Sequence, residues 1–255
     1  MKVFYIMKKE LRGYLLSPVA YVLITVFLVV MGFLFYNIVS FYSLQSTFIF
    51  SQQGVAPELD LTEVIFRPTF INMSVVFLLV MPILTMRFFA EEKRSRTIEL
   101  LMTSPISITE IILGKYLASV LILGLMLLLT IYMPVIISLY GTLNWGQIAS
   151  GYIGLFLVGM IFLSIGMLAS SMTENQIIAA ILSFGMLLIL WIIRMASQIA
   201  GSTTTGDILS FLSITEHMDN LIKGLIDTRD IIYYLTVSIF GLFLTHRVIE
   251  SQRWR

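Results

Sequence analysis

The fold is decided by residues 115–174, KYLASVLILGLMLLLTIYMPVIISLYGTLNWGQIASGYIGLFLVGMIFLSIGMLASSMTE, because no charged residue lies between Lys115 and Glu174. A helix needs about 20 apolar residues to cross the roughly 30 Å hydrocarbon core of a bilayer. The interval is long enough for two crossings, and the turn-forming stretch GTLN at 141–144 divides it. The stretch therefore predicts a hairpin of two membrane-spanning helices.

The composition of the whole chain agrees with lipid as the solvent. Hydrophobic residues make up 58% of the 255 residues and charged residues 12%, whereas soluble domains have about 25% charged residues. The chain has no cysteine and only two histidines, His217 and His246. Thiolate metal sites and disulfides are therefore excluded, and we expect no cofactor bound by this chain.

Further charge-poor intervals extend the hairpin to an all-α membrane protein with six transmembrane helices. The N-terminal apolar run exceeds 20 residues and lacks a small-residue cleavage pattern, so we expect it to stay as an anchor rather than a cleaved signal. A single transmembrane domain covers residues 1–255. The predicted spans are 19–41, 69–88, 113–139, 149–170, 176–197 and 231–247.

Basic residues near the span ends predict the orientation, since they collect on the cytoplasmic side. One face has only Arg67, Lys223 and Arg229, and Arg194 lies inside a span. We therefore expect the opposite face, with both termini, in the cytoplasm. Its basic residues are Lys2, Lys8, Lys9, Arg12, Arg87, Lys93, Arg94, Arg96, Lys115, Arg247, Arg253 and Arg255.

Three segments outside the spans have recognisable patterns. Residues 1–18 predict an amphipathic interfacial helix that Ser17-Pro18 ends, although a frayed basic tail is the alternative. On the outer side, 201–206 predicts a flexible polar loop. Residues 213–226 begin with a capping box and predict an amphipathic helix on or in the outer leaflet.

The loop 87–110 is the most informative of the connecting segments. A mixed-charge run, Glu91 to Arg94, is followed by a predicted short helix from Thr97 to Thr103 that Ser104-Pro105 ends. Ile98, Leu101 and Met102 share one side of that helix, so it could dock in a partner's groove or lie against the membrane. Ser107 and Glu110 fit a capping box at the start of the third span.

Motifs for catalysis are absent from the sequence. There is no phosphate-binding G-x-x-x-x-G-K-[ST] loop, so a nucleotide would have to be hydrolysed by another chain. Arg194 is the only charge deep in a span, and it could contact an anionic substrate or extend to the interface. We expect lipid and protein partners and no nucleic-acid partner.

Residues 87–107, RFFAEEKRSRTIELLMTSPIS, continuing to Gly114-Lys115, closely resemble the stretch AEEKRSGTIELLLTSPVS...GK that recurs in ABC-2 type permeases. Arg96 stands where glycine is common. The opening KKEL at 8–11 and SP at 17–18, with ESQRW at 250–254, are similar to the permeases associated with gliding motility and with nitrous-oxide-reductase maturation.

The resemblance implies an exporter of the bacterial inner membrane. Two such permeases, identical or different, would bind two copies of a cytoplasmic ATPase that holds ATP and Mg²⁺, and an extracytoplasmic auxiliary subunit is compatible with it. The loop would include the coupling helix. The implied coupling residues are Glu91, Glu92, Arg94, Thr97, Ile98, Glu99, Leu101, Met102, Thr103, Ser104 and Pro105. The rival predictions are a carrier or channel that works without ATP, and a membrane anchor for a cytoplasmic complex.

Overall fold

The structure is a computed structural model that describes residues 2–53, 60–97, 106–201 and 203–252. These residues form helices and turns without any β-strand, and six helical segments are long and apolar enough to span a membrane. The all-α fold with six spans is confirmed. The helices are α1 Lys2–Leu16, α2 Pro18–Gln53, α3 Arg67–Thr85, α4 Ala90–Arg94, α5 Ile108–Leu129, α6 Tyr132–Ser138, α7 Trp145–Met172, α8 Gln176–Ala200, α9 Thr204–Leu212, α10 Ile214–Ile222 and α11 Thr228–Gln252.

Helix α7 lies at the centre of the bundle. A larger share of its residues is buried than in any other of the six spanning helices. Small residues along it let neighbouring helices approach closely, as membrane helix packing requires. Gly154 faces Leu221 of α10, Gly159 faces Leu123 of α5, and Gly166 faces Thr85 of α3. By contrast, α2 and α8 are mostly uncovered and turn large apolar side chains outward.

The third span is interrupted just before its proline, Pro134. Pro134 has no N–H to donate to the carbonyl of Thr130, and the helix breaks there into α5 and α6. The Thr130 carbonyl instead accepts hydrogen bonds from the Tyr152 hydroxyl at 3.1 Å and from the Met133 N–H at 3.0 Å. A backbone group that the proline leaves unpaired is thereby satisfied inside the bundle.

Of the predictions for the outer segments, one was wrong and one is confirmed in part. Residues 201–206 are not simply a flexible loop, because the Thr203 hydroxyl accepts from the Gly206 N–H at 3.2 Å and α9 begins at Thr204. The amphipathic helix predicted before the last span is confirmed as α10, and it packs against the bundle, where Ser150 donates to the Leu221 carbonyl at 2.6 Å. The predicted helix also ends early, at Ile222.

The bundle has two ends, which we name by their contents. The terminal face carries α1, α4 and the end of α11, and the distal face carries a π-helical turn at Thr62–Phe66, α9 and α10. The capping box predicted at the start of the third span is confirmed at the terminal face. There the Ser107 N–H donates to Glu110 at 2.9 Å, and the Glu110 N–H donates to the Ser107 hydroxyl at 3.2 Å.

Candidate coupling site

Ser170, near the end of α7, holds the turn that joins α3 to α4. Its hydroxyl oxygen accepts from the backbone N–H groups of Phe89 and Ala90, at 3.1 and 3.2 Å, and donates to the Met86 carbonyl at 3.0 Å. The first N–H groups of a helix have no partner within the helix. One buried hydroxyl therefore supplies the cap that the sequence at the start of α4 lacks.

A second contact between α4 and α7 lies one residue further along α7, at Ser171. Lys93 of α4 donates its ammonium group to the Ser171 carbonyl, and Gln252 of α11 donates to the same oxygen at 3.3 Å. A cation at a helix C-terminus also complements the helix dipole. Helices α4, α7 and α11 are thus joined at one carbonyl.

Lys115 of α5 is the buried charge of the terminal face, with 4% of its side chain exposed. Its ammonium group lies 2.8 Å from a carboxylate oxygen of Glu92 on α4 and 3.3 Å from Glu10 on α1. It also lies 5.6 Å from the ring centre of Phe89. A buried ammonium is tolerated only beside counter-charges, so this cluster of Lys115, Glu92 and Glu10 fixes α1, α4 and α5 together.

Tyr14 of α1 packs edge-on against Phe88, with ring centres 6.2 Å apart. Burial raises the pKa of its hydroxyl well above the ordinary value, Glu10 adds to the rise and Arg87 opposes it. The phenol is therefore neutral at physiological pH, as its apolar contact with Phe88 requires.

The predicted coupling residues that the structure describes separate into an exposed and an inward-facing group. Glu91, Arg94 and Thr97 are exposed at the terminal face, whereas Glu92 turns inward to Lys115 and is only 17% exposed. Within the described part of the chain, neither Glu91 nor Arg94 forms an ion pair. The remaining predicted residues lie outside the described residues: Ile98, Glu99, Leu101, Met102, Thr103, Ser104 and Pro105.

Arg194, the candidate for the substrate path, forms an ion pair with Asp219 of α10. Arg67 lies 3.9 Å from the same carboxylate and 3.4 Å from Glu63. A cavity of about 90 Å³ adjoins Arg194 and Trp191. The sequence offered the general signal that an arginine within a span needs a carboxylate, but it did not identify Asp219.

A second buried cluster on the distal face was not predicted. His217 of α10 lies 2.6 Å from Asp230 of α11 through Nδ1 and 3.0 Å from the Phe211 carbonyl through Nε2, and it stacks on Tyr233 with ring centres 4.1 Å apart. Both ring nitrogens of His217 face acceptors. Because Phe211 belongs to α9 and Asp230 to α11, the cluster joins α9, α10 and α11. Among the residues that the structure describes, no three potential metal ligands come together.

Comparison with known protein families identifies one family. No curated protein matches the chain. The family described as ABC-2 family transporter protein matches residues 4–249, from the first turn of α1 to the last turn of α11. This match covers nearly the whole chain and agrees with the six-span fold, so the chain belongs to the ABC-2 transporter family, as a membrane subunit.

Proposed function

We propose that this chain forms the translocation path of an exporter and is driven by a separate cytoplasmic ATPase that docks on the terminal face around α4. The family membership supports an ATPase as the kind of partner. In this proposal the membrane is the bacterial inner membrane, both termini are cytoplasmic, and two permease chains, identical or different, enclose the path.

The observation that carries the proposal is the way α4 is attached. Its outer side presents the exposed charges Glu91 and Arg94, while Lys93 and Glu92 tie its inner side to α7 and α5. Helix pairs that are closely packed and hydrogen-bonded move together rather than deforming. A partner that displaces α4 would therefore move the central helix of the bundle.

Three finer predictions concern the subgroup of permeases, an accessory subunit and the substrate. The resemblance to gliding-motility and nitrous-oxide-reductase-maturation permeases rests on 8–11, 17–18 and 250–254 and stays a prediction, as does an extracytoplasmic subunit. Arg194 stays a candidate contact for an anionic substrate. Its pairing with Asp219 means that such a substrate would have to compete with a carboxylate of the chain itself.

The test is capture of the cytoplasmic ATPase that co-purifies with the unchanged chain by a variant carrying Glu91→Ala and Arg94→Ala. Glu92 is left intact because its loss would also unpair the buried Lys115. We expect at least about tenfold weaker capture, which corresponds to the loss of about one charge-assisted contact. ATP hydrolysis stimulated by the permease should fall in parallel.

The matched control carries Glu216→Ala and Lys223→Ala, which remove two exposed charges from the distal face. Its capture of the ATPase should equal that of the unchanged protein. Unchanged capture by the α4 variant, or equal losses in both variants, would contradict docking at α4.

A further inference from the structure

Helix α2 extends well beyond the helix it packs against at the distal face. The ring of Phe35 lies 6.3 Å from the ring of Phe66, in the π-helical turn that leads into α3. Phe35 therefore marks the level of the distal face along α2. At about 1.5 Å per residue, Phe48 stands roughly 20 Å further along the helix axis. The last part of α2 thus has no neighbouring span at its own level.

One side of α2 is exposed along most of the helix and is almost entirely apolar. Its positions recur every 11 residues, so that Val26, Asn37 and Phe48 are equivalent, as are Phe33 and Leu44. A repeat of 11 residues is about 3.67 residues per turn, which keeps them on one side of a nearly straight helix. We name this side the α2 stripe. Its residues, all exposed, are Val26, Val30, Phe33, Asn37, Phe41, Leu44 and Phe48.

Lipid covers only the lower part of the α2 stripe. Beyond the level of Phe35, the side chains of Phe41, Leu44 and Phe48 are 70%, 72% and 62% exposed. A contiguous apolar surface that faces water marks an interaction site. Ser43, on another side of the same turns, is polar and exposed, as solvent contact requires. The upper part of the stripe is therefore a surface that a protein covers.

A second copy of the chain matches this surface. Two copies inserted in the same orientation hold their α2 helices parallel and at one depth, so identical residues meet. The stripe brings no like charges together, because no charged residue lies between Arg12 and Glu58, and it offers no counter-charge to a charged partner. At its middle, Asn37 Nδ2 donates to the Phe33 carbonyl at 2.7 Å. The amide keeps a second N–H and its oxygen for the same residue of the other copy, a pairing that fixes the register of two helices.

From these observations we infer that two copies of this chain pair along the α2 stripe, as parallel helices that continue past the membrane on the distal side. The inference rests on the proposed pair of permease chains and specifies it, because the two chains are then identical. The three phenylalanines of the stripe are about two-thirds exposed, and since an aromatic side chain buries about 150–250 Å², they leave roughly 300–500 Å² per copy to be covered. Leu44 and the valines add to this on both copies, so the total approaches the roughly 1,200 Å² of the smallest standard interfaces.

The first test is disulfide crosslinking of the full-length chain in its membrane. The chain has no cysteine, so a single introduced thiol can form a product of twice the chain's mass only with a second copy. We expect Leu44→Cys to give on the order of tenfold more of this product than Ser43→Cys, because only facing positions bring two Cα atoms within the about 7 Å that a disulfide spans. Both side chains are exposed and lie at the same level. Equal crosslinking of the two positions, no crosslinking, or a product with a chain of another mass would overturn the inference.

The second test measures the dimer of the purified chain by sedimentation in detergent. Leu44→Ala should raise the Kd for dimer dissociation at least about tenfold, because one apolar contact is lost from each copy. Leu225→Ala is the matched control, since Leu225 is a leucine of the distal face that is 62% exposed and lies outside α2, and it should leave the Kd unchanged. An unchanged Kd in Leu44→Ala would refute the seam. ATPase capture by a chain that fails both tests would reject the α2 pairing alone, whereas crosslinking without any ATPase capture would reject docking at α4 and leave the pairing in place.

Discussion

Arg96 shows how a single backbone angle explains a departure from the family's sequence. It follows α4 with a φ of 55°, in the left-handed region where side chains with a Cβ are strained. Glycine is common at the corresponding place in the resembling stretch, and glycine is the residue that adopts this angle freely. The chain therefore keeps a strained arginine at the exit of α4.

Replacing this arginine should stabilise the protein. Arg96→Gly is expected to raise the free energy of unfolding by about 1 kcal/mol, because the strain of the left-handed angle is relieved. Denaturant unfolding in detergent measures the change. Arg94→Gly, inside α4, is the matched control and should lower the same free energy by about 1 kcal/mol. A loss of stability in Arg96→Gly would show that the arginine side chain has a stabilising contact of its own.

Ser170 provides a second test at the scale of one residue. Ser170→Ala removes the acceptor for the Phe89 and Ala90 N–H groups, and leaving buried donors unpaired costs about 1–3 kcal/mol. Ser171→Ala removes only a local bond to the Leu168 carbonyl and should cost less than about 1 kcal/mol. Thermal unfolding of the two variants gives the comparison, and equal costs would argue against the cap.

At the scale of the elements, the Lys115 cluster should determine whether α1 and α4 stay attached to α5. Lys115→Met leaves Glu92 without its cation and Glu10 with only the exposed Lys9, and breaking a buried pair in this way costs about 3–5 kcal/mol. Lys9→Met removes a lysine whose side chain is 74% exposed, and such surface pairs contribute about 1 kcal/mol or less.

A double-mutant cycle measures the same contact directly. If Lys115 and Glu92 interact as the 2.8 Å distance indicates, Glu92→Gln should cost much less in the Lys115→Met background than alone. Additive costs would mean that the two residues act independently. Proteolysis near α1 reports whether that helix detaches.

The elements differ in how far the sequence could predict them. Charge-free intervals identify the six spans, because a charge at the bilayer centre is costly wherever it lies in the chain. The partners of the charges follow from tertiary packing instead. Glu92 and Lys115 are 23 positions apart, and a charged run as short as Glu91 to Arg94 has too few residues to show which side faces inward.

Similar reasons explain the differences between prediction and structure on the distal face. The polar stretch 201–206 has the composition of a loop, yet Thr203 supplies a cap that starts α9. Helix α10 has the pattern of an interfacial helix, and that pattern does not show the partners of its polar residues His217 and Asp219. The structure buries both beside Asp230 and Arg194, which no local pattern encodes.

At the scale of the whole molecule, the length of α2 exceeds what a bilayer requires. The predicted span ended at 41, but α2 has 36 residues, which at about 1.5 Å per residue is roughly 54 Å. No glycine or proline interrupts its last third, from 41 to 53, so the helix continues past the hydrocarbon. With the terminal face in the cytoplasm, the end of α2 would project on the outer side.

Cysteine labelling tests the orientation of the chain in the membrane. The chain has no cysteine, so an introduced thiol is the sole target of a maleimide reagent. We expect Lys223→Cys, on the distal face, to react in intact cells with a reagent that does not cross membranes. Thr97→Cys and Lys8→Cys, on the terminal face, should react only after the cells are permeabilised. All three side chains are exposed, so a lack of reaction reports the membrane rather than burial. Reaction of Thr97→Cys in intact cells would place α4 outside, beyond the reach of any cytoplasmic ATPase.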